Sequence, residues 1–170
     1  YNILPNHNII HQIYFPFNKK LATIEKSNNL VLEMGKNLQK QTNRNRMYIY
    51  SPNGIQLLNI PVKHSTQARQ KTKDIQLETA FDWQKQHFKS LEAAYRSSPF
   101  FEFFEDALMP IFEKKHTFLM DLNLQTMEIV AKCLGMKLSY EISNEFEKNF
   151  EGNDYRNLVD GKKDILTIEP

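Results

Sequence analysis

Two arginines that lie two residues apart, Arg44 and Arg46, are well suited to bind an anion. They precede the alternating run 47–50, which is typical of a strand, where every second side chain points to the same side. Extended geometry from Arg44 onward would place both guanidiniums on one face, about 7 Å apart. Like charges at that spacing favour a phosphate or carboxylate between them. The alternative is a solvated edge strand whose positive charge opposes aggregation.

Lys63 and His87 extend this set of candidates. Lys63 follows Ile60-Pro61-Val62 at the predicted end of a strand, where its ammonium group can contact an anion. His87 is the candidate general acid or base, because the ordinary pKa of histidine lies near neutrality. Trp83 and Leu91 lie one helical turn before and after His87, so a histidine packed in the core is the alternative.

The other chemically capable residues carry weaker signals. Tyr95 has an apolar ring that can pack and a hydroxyl that can reach a ligand. Cys133, on the apolar stripe of a predicted helix, indicates a small buried residue rather than a nucleophile. Five scattered glycines form neither a dinucleotide fingerprint nor a phosphate-binding loop. No histidine pair, cysteine pair or carboxylate cluster has ligand spacing, so we expect neither a metal nor another cofactor.

Composition indicates one globular chain with a sizeable aromatic core. The 170 residues are 41% apolar and carry a net charge of only +2, which gives no reason to expect nucleic acid as a partner. No apolar run has the length of a membrane span and no signal-peptide pattern opens the chain, so we expect a cytoplasmic protein. The first residue, Tyr1, indicates an incomplete or processed N-terminus, and the oligomeric state stays open.

The hydrophobic pattern predicts the elements that must position these residues. Residues 8–15 and 30–34 are apolar runs separated by a crossover of about a dozen residues, which favours a parallel βαβ unit. Residues 46–50 and 55–62 predict a hairpin around Asn53-Gly54. We therefore expect an α/β fold, in which a small mixed sheet made of the βαβ unit and the hairpin packs with a mostly helical C-terminal half.

The whole chain, 1–170, is predicted to be a single domain. Its parts are a sheet region over 8–63, a polar loop over 64–78, a helical region over 79–135 and a poorly patterned tail over 136–170. The segment Ser98-Pro99 predicts a helix start, and Pro110 predicts a kink or break in that helix. Thr117 is the predicted cap of the last helix, which Gly135 closes.

Several of these motifs occur in the order that is typical of one protein family, and together they resemble the WbqC-like family. The resemblance extends over roughly residues 9 to 135, with a weaker echo at Asp154-Tyr155-Arg156-Asn157-Leu158. The matching segments are Tyr14-Phe15-Pro16, Arg44-Asn45-Arg46, Pro52-Asn53-Gly54, Ile60-Pro61-Val62-Lys63, Asp82-Trp83-Gln84-Lys85-Gln86-His87, Ala94-Tyr95-Arg96-Ser97-Ser98-Pro99-Phe100-Phe101 and Asp121-Leu122-Asn123.

The resemblance implies an enzyme of bacterial surface-polysaccharide (O-antigen type) biosynthesis that acts on an anionic, nucleotide-linked sugar by group transfer, acyl or aminoacyl transfer included. The alternative is a non-enzymatic protein that binds a glycan precursor or a partner biosynthetic enzyme. The implied catalytic residues are His87 and Tyr95. The implied substrate-binding residues are Glu33, Arg44, Asn45, Arg46, Lys63 and Trp83.

Two departures from the family pattern bear on these roles. The family carries an acidic, histidine-containing run after the second strand, and Glu33 is the residue of that run found here. Family members also often continue beyond the position of Pro170, so we expect either a short member or a partial chain.

Overall fold

The computed structural model describes residues 8–11, 14–15, 24, 30–33, 44–64, 70–143 and 152–156. In these ranges the chain forms a four-stranded sheet, a two-stranded sheet and three α-helices. The strands are β1 (Asn8–His11), β2 (Leu30–Glu33), β3 (Arg46–Ser51), β4 (Gly54–Asn59), β5 (Tyr140–Ser143) and β6 (Asn153–Asp154). The helices are α1 (Trp83–Tyr95), α2 (Pro99–Glu113) and α3 (Leu119–Cys133).

The larger sheet is parallel throughout, with strand order β5-β2-β1-β6. The register aligns His11 with Glu33 and Glu33 with Ser143, so the carboxyl ends of β1, β2 and β5 lie level. Parallel strands that are covered on both faces are apolar without alternation. Ile9 and the run 30–32 are buried accordingly.

The α/β class is confirmed, with helices mostly in the C-terminal half and four of the six described strands in the N-terminal half. The sheet predicted as one mixed sheet is instead a parallel sheet and a separate hairpin. The hairpin forms as the turn signal predicted, although β3 and β4 make a two-stranded sheet of their own and Pro52-Asn53 is the connection. The tail contributes β5 and β6 to the parallel sheet, although its sequence carries no clear pattern. The predicted crossover lies outside the described residues, except for Ile24, which is helical.

Two predicted details of the helices differ from the structure. The predicted break at Pro110 does not occur, since α2 continues to Glu113 with Ile111 and Phe112 buried against the core. The predicted kink stays a prediction. Helix α3 begins at Leu119 rather than after Thr117. A β-bridge between Phe118 and Gln76 keeps the preceding backbone extended, so the helix starts only after it.

The C-terminal end of α3 has the form that the sequence predicted. Gly135 has a φ of +66°, and its N–H donates to the carbonyl oxygen of Lys132 at 3.1 Å. The N–H of Met136 donates to the carbonyl oxygen of Ala131 at 2.8 Å. This pair of hydrogen bonds is the Schellman motif, which satisfies carbonyls at the helix end and needs a left-handed residue.

Substitution of Gly135 by alanine should lower the free energy of unfolding by about 1–2 kcal/mol, because an L-residue is strained at positive φ. No atom lies within 4 Å of the added Cβ, so backbone strain rather than a clash is the cause. Chemical denaturation measures the loss. Gly135→Asn is the control and should lose less, since asparagine tolerates this conformation. Equal stability of Gly135→Ala and the unmodified protein would contradict the assignment.

Candidate functional site

The carboxyl edge of the parallel sheet brings together ionisable side chains from several strands. β1 ends at His11, β2 ends at Glu33, and β6 ends at Asp154, closely followed by Arg156. The N–H of Tyr155 donates to the carbonyl oxygen of Ile9 at 2.9 Å, which holds this segment alongside β1. Open α/β sheets bind their ligands at this edge. We therefore take it as the candidate site.

Arg156 joins two carboxylates at this edge. Its Nη1 donates to Glu33 Oε2 at 2.7 Å, and its Nε donates to Asp154 Oδ1 at 2.9 Å. The hydrogen bonds from Arg156 hold the pKa of Asp154 below its ordinary value. Glu33 is buried, with 1% of its surface exposed, so its charge depends on such partners. His11 Nδ1 lies 4.0 Å from the other oxygen of Glu33, Oε1.

Arg44 places a second guanidinium inside the protein near Glu33. The residue is fully buried, and burial lowers its pKa to about 10 while the charge of Glu33 opposes the change. Arg44 is therefore still protonated at neutral pH. Residues 44–45 form a turn and the strand begins only at Arg46. The alternation that would put Arg44 and Arg46 on one strand face consequently does not extend to Arg44.

Two buried asparagines lie near Arg44, since Asn45 follows it in the chain and Asn123 contacts its backbone. Asn123 Nδ2 donates to the carbonyl oxygen of Arg44 at 2.7 Å, and both asparagines are buried. Within the described ranges, neither Asn45 Oδ1 nor Asn123 Oδ1 has a hydrogen-bond partner. Buried acceptors without a donor are rare in native proteins and cost about 1–3 kcal/mol each. Each of these oxygens is suited to accept a hydrogen bond from a ligand.

The chain that follows β1 is held against α3 in a strained conformation. Phe15 has a φ of +47°, which is uncommon for a bulky residue and occurs often near functional sites. Its N–H donates to Thr126 Oγ1 at 3.1 Å, and the Thr126 hydroxyl donates to the carbonyl oxygen of Asn123 at 2.9 Å. This chain of hydrogen bonds connects the Phe15 backbone to the asparagine that contacts Arg44.

His87 is buried and both of its ring nitrogens are hydrogen-bonded. Nε2 lies 3.0 Å from the carbonyl oxygen of Asn59, which can only accept, so Nε2 carries the proton. Nδ1 then accepts from the Tyr14 hydroxyl at 2.8 Å. Burial lowers the pKa of His87 to about 4, against the Asn59 hydrogen bond, so the ring is neutral at pH 7. Trp83 packs edge-on against it.

The predicted site residues therefore fall into separate groups. Glu33 and Arg44 lie close enough for their charges to interact, and Asn45 is buried next to Arg44 in the chain. Arg46, whose Nε donates to Asn59 Oδ1 at 3.2 Å, is connected through Asn59 to His87 and Trp83. Lys63 is exposed after β4, and Tyr95 is partly buried at the end of α1. No described hydrogen bond joins the side chain of Lys63 or Tyr95 to either group, although Tyr95 packs against the hydrophobic core that contains Trp83.

Comparison with known proteins identifies the family. The WbqC-like protein family matches this sequence over residues 12–165. The chain belongs to this family. It is 28% identical over 159 residues to a Mycobacterium tuberculosis protein named "Uncharacterized protein Rv1507c", and the match covers 93% of this chain and 64% of that relative. The chain thus spans less than two thirds of the relative's length. No solved structure matches the sequence significantly.

Sequence reasoning missed four residues of this WbqC-like site: His11, Asn123, Asp154 and Arg156. His11 lies in the middle of the predicted strand 8–15, and the rule that ligands meet strand ends points to it only because the observed β1 already ends there. Asn123 closes the Asp121-Leu122-Asn123 motif of the family resemblance. Asp154 and Arg156 occur in the weaker echo within the tail, where the hydrophobic pattern predicted no strand.

The described part of this WbqC-like chain contains neither a membrane-spanning helix nor a group of side chains that could hold a metal ion. No helix there is long and apolar enough to cross a membrane. No group of three or more histidine, cysteine, aspartate or glutamate side chains in the same ranges has an arrangement that could hold a metal ion.

Replacement of Arg156 by methionine should lower the free energy of unfolding by about 3 kcal/mol, because it leaves the buried Glu33 carboxylate less well compensated. Urea denaturation at pH 7 measures the change. Arg96 offers a matched control, since it also binds two carboxylates, Glu92 and Glu105, but 47% of its side chain is exposed. Arg96→Met should cost much less. Equal losses for both variants would show that burial of Glu33 does not decide the effect.

The depressed pKa of His87 should make stability depend on pH. Between pH 6.5 and about 4 the unfolded chain binds a proton at this residue and the folded chain does not. The contribution of His87 to the free energy of unfolding is therefore fully present above pH 6.5. It falls by up to about 3 kcal/mol as the pH decreases to about 4. His87→Gln should remove this part of the slope in denaturation curves recorded across the range. The exposed His64→Gln is the control, and an equal effect of both variants would contradict the assignment.

Proposed function

We propose that this protein is an enzyme of bacterial surface-polysaccharide (O-antigen type) biosynthesis that acts on an anionic, nucleotide-linked sugar by group transfer. Membership in the WbqC-like family supports the polysaccharide assignment. The observation that carries the substrate class is the combination, at the carboxyl edge of the parallel sheet, of buried Arg44 with two buried amide oxygens, those of Asn45 and Asn123.

The guanidinium of Arg44 supports the anionic part of the substrate. Its pKa of about 10 keeps the charge at neutral pH, and burial strengthens the attraction of that charge for a phosphate or carboxylate. A guanidinium presents its N–H groups in a fixed fork that fits either oxyanion. Arg46 belongs to the group around Asn59 and His87, so its predicted contact with the same anion stays a prediction.

The two asparagines support the sugar part of the substrate. Asn45 Oδ1 and Asn123 Oδ1 accept no hydrogen bond from the described residues, and sugar hydroxyls are suitable donors. Asn123 is held in place through its Nδ2, which bonds the carbonyl oxygen of Arg44, so its acceptor is already oriented. A ligand with an oxyanion next to several hydroxyls would contact the arginine and satisfy both acceptors together.

His11 is the proton carrier that we propose at this edge. Its Nδ1 lies 4.0 Å from Glu33 Oε1, and a nearby carboxylate stabilises a histidine that gains a proton. In an acyl transfer, a sugar hydroxyl or amine attacks the carbonyl carbon of the donor. The new C–O or C–N bond forms, the bond to the leaving group breaks, and His11 takes the proton of the attacking group. The catalytic roles predicted for His87 and Tyr95 stay predictions.

A second candidate is a protein that binds a glycan precursor or a partner enzyme without converting a substrate. One observation favours it, namely that the carboxylates of Glu33 and Asp154 are both bonded to Arg156, which weakens them as bases. His87 would also have to give up a hydrogen bond to accept a proton. The two candidates differ in the role of His11.

Thermal shift with a panel of nucleotide-linked sugars tests substrate binding. A ligand at about 100 times its dissociation constant should stabilise the fold by about 2.7 kcal/mol. Asn45→Ala should reduce this shift to about half, because one hydrogen bond contributes about 1 kcal/mol. It should not destabilise the free protein through a lost hydrogen bond of Oδ1, since that oxygen bonds to nothing among the described residues. Gln125→Ala, on an exposed part of α3, is the control and should keep the full shift. A full shift in Asn45→Ala would contradict the site.

Replacement of His11 by glutamine separates the enzyme from the binder. The variant should retain the ligand-induced shift, because the proposed anion and hydroxyl contacts come from other residues. It should lose product formation, followed by mass spectrometry of a nucleotide-linked amino sugar incubated with acyl thioesters. Unchanged product formation would exclude His11 as the proton carrier. Binding without product in the unmodified protein, across the donor panel, would favour the non-enzymatic candidate.

A further inference from the structure

A cavity of about 150 Å³ lies between the hairpin and the three helices. Its wall is apolar and includes Phe15 from the segment after β1, Met47 from β3 and Leu91 from α1. Leu108 from α2 and Val130 from α3 complete the enclosure. Leu134, which is 49% exposed, also contributes to the wall, so the cavity reaches the surface there.

The cavity is a half-open pocket rather than a closed void of the core, because exposed Leu134 and several partly buried residues form part of its wall. An apolar pocket of this kind leaves apolar surface in contact with water, and an apolar ligand would remove that surface from water. A wall without polar groups offers a water molecule no hydrogen-bond partners, so the cavity is unsuited to water. An apolar cavity of about this volume in another protein stays dry and binds a molecule the size of benzene. The geometry therefore suits an apolar group of about six carbons.

Helix α3 connects this cavity to the polar site. Asn123 and Thr126 lie on the same face as Val130 and Cys133, because residues three, seven and ten positions apart align along a helix. Seven residues of helix correspond to about 10 Å, the distance along the axis from Asn123 to Val130. Phe15 contacts both regions, since its backbone bonds Thr126 and its side chain lines the cavity.

We propose that this cavity binds an aliphatic chain of up to about six carbons, carried by the acyl donor of the transfer reaction. The identity of the donor rests on the proposed function, whereas occupancy of the cavity by an alkyl chain does not. The carbonyl end of the donor would lie at the carboxyl edge of the parallel sheet, next to the sugar that Arg44 and Asn123 bind in the proposed function. The alkyl tail would extend along α3 past Val130 and displace no bound polar group.

The single cysteine of the chain provides a direct reporter. Cys133 lines the cavity, so an occupant should slow its reaction with a small thiol reagent. The probes are the linear alcohols from butanol to decanol. Each added methylene should lower the half-protecting concentration about fourfold, and the improvement should stop near six carbons. Absence of protection, or steady improvement up to decanol, would overturn the proposal.

A matched control excludes general effects of the alcohols on thiol chemistry. The double variant Cys133→Ala, Gln125→Cys moves the thiol to an exposed position of the same helix. Its labelling rate should not change with any alcohol. Protection of this thiol with the same dependence on chain length would show that the alcohols act on the whole protein, and the cavity proposal would then fail.

A variant whose cavity is filled by a larger side chain should no longer bind a ligand more tightly because the ligand carries an alkyl chain. Leu108→Phe enlarges a side chain of the wall and so fills the cavity. If that variant does not fold, Leu134→Trp, which closes the exposed side, replaces it in the experiment. The comparison uses inorganic phosphate and hexyl phosphate. The unmodified protein should bind hexyl phosphate at least tenfold more tightly than phosphate, and the filled variants should bind both equally. An unchanged preference for hexyl phosphate in a folded variant would overturn the proposal.

The two hypotheses fail separately in these experiments. Protection of Cys133 by alcohols without measurable binding of phosphate would retain the alkyl site and contradict the anionic substrate. Binding of phosphate with no alcohol protection and no preference for hexyl phosphate would retain the anion site and overturn the cavity proposal.

Discussion

The buried carboxylate of Glu33, at the end of β2, is the group on which the arrangement of the site depends. Removal of a carboxylate from water costs several kcal/mol, and nearby positive charge must offset that cost. Arg156 supplies a direct hydrogen bond from 123 residues away in the sequence, and buried Arg44 lies close enough for its charge to interact with that of Glu33. Neutralisation of Glu33 therefore keeps the tail beside β1 and the turn at Arg44 against the sheet.

Helix α3 then determines how the segments around the sheet edge are arranged. Asn123 bonds the carbonyl oxygen of Arg44, and Thr126 accepts from the N–H of Phe15. The turn before β3 and the segment after β1 are thus fastened to adjacent turns of one helix. The same face of α3 continues to Val130 in the wall of the apolar cavity. A polar edge and an apolar cavity on one rigid element are suited to a ligand that has both kinds of group.

The fold could be predicted largely from local patterns, and the exceptions have specific causes. Continuous apolar runs predicted parallel strands, and Asn53-Gly54 predicted the hairpin, because both signals act within a few residues. The start of α3 could not be predicted, since the β-bridge of Phe118 with Gln76 comes from a distant segment. The strands of the tail were missed for a similar reason. Their pairing with β1 and β2, rather than their own sequence, makes them strands.

The sequence by itself determined the α/β class, the hairpin, the Schellman end of α3 at Gly135 and the candidates Glu33, Arg44 and Asn45. These depend on backbone preferences, on periodicity or on motif order, all of which can be read along the chain. Only the tertiary structure decided that Arg44 is buried, that Arg156 bonds Glu33 and that His87 is neutral. These depend on contacts between distant parts of the chain, since Arg156 and Glu33 are 123 residues apart and Tyr14 and His87 are 73 apart. Desolvation and hydrogen bonding across such distances arise only when the chain is folded, so no local pattern carries them.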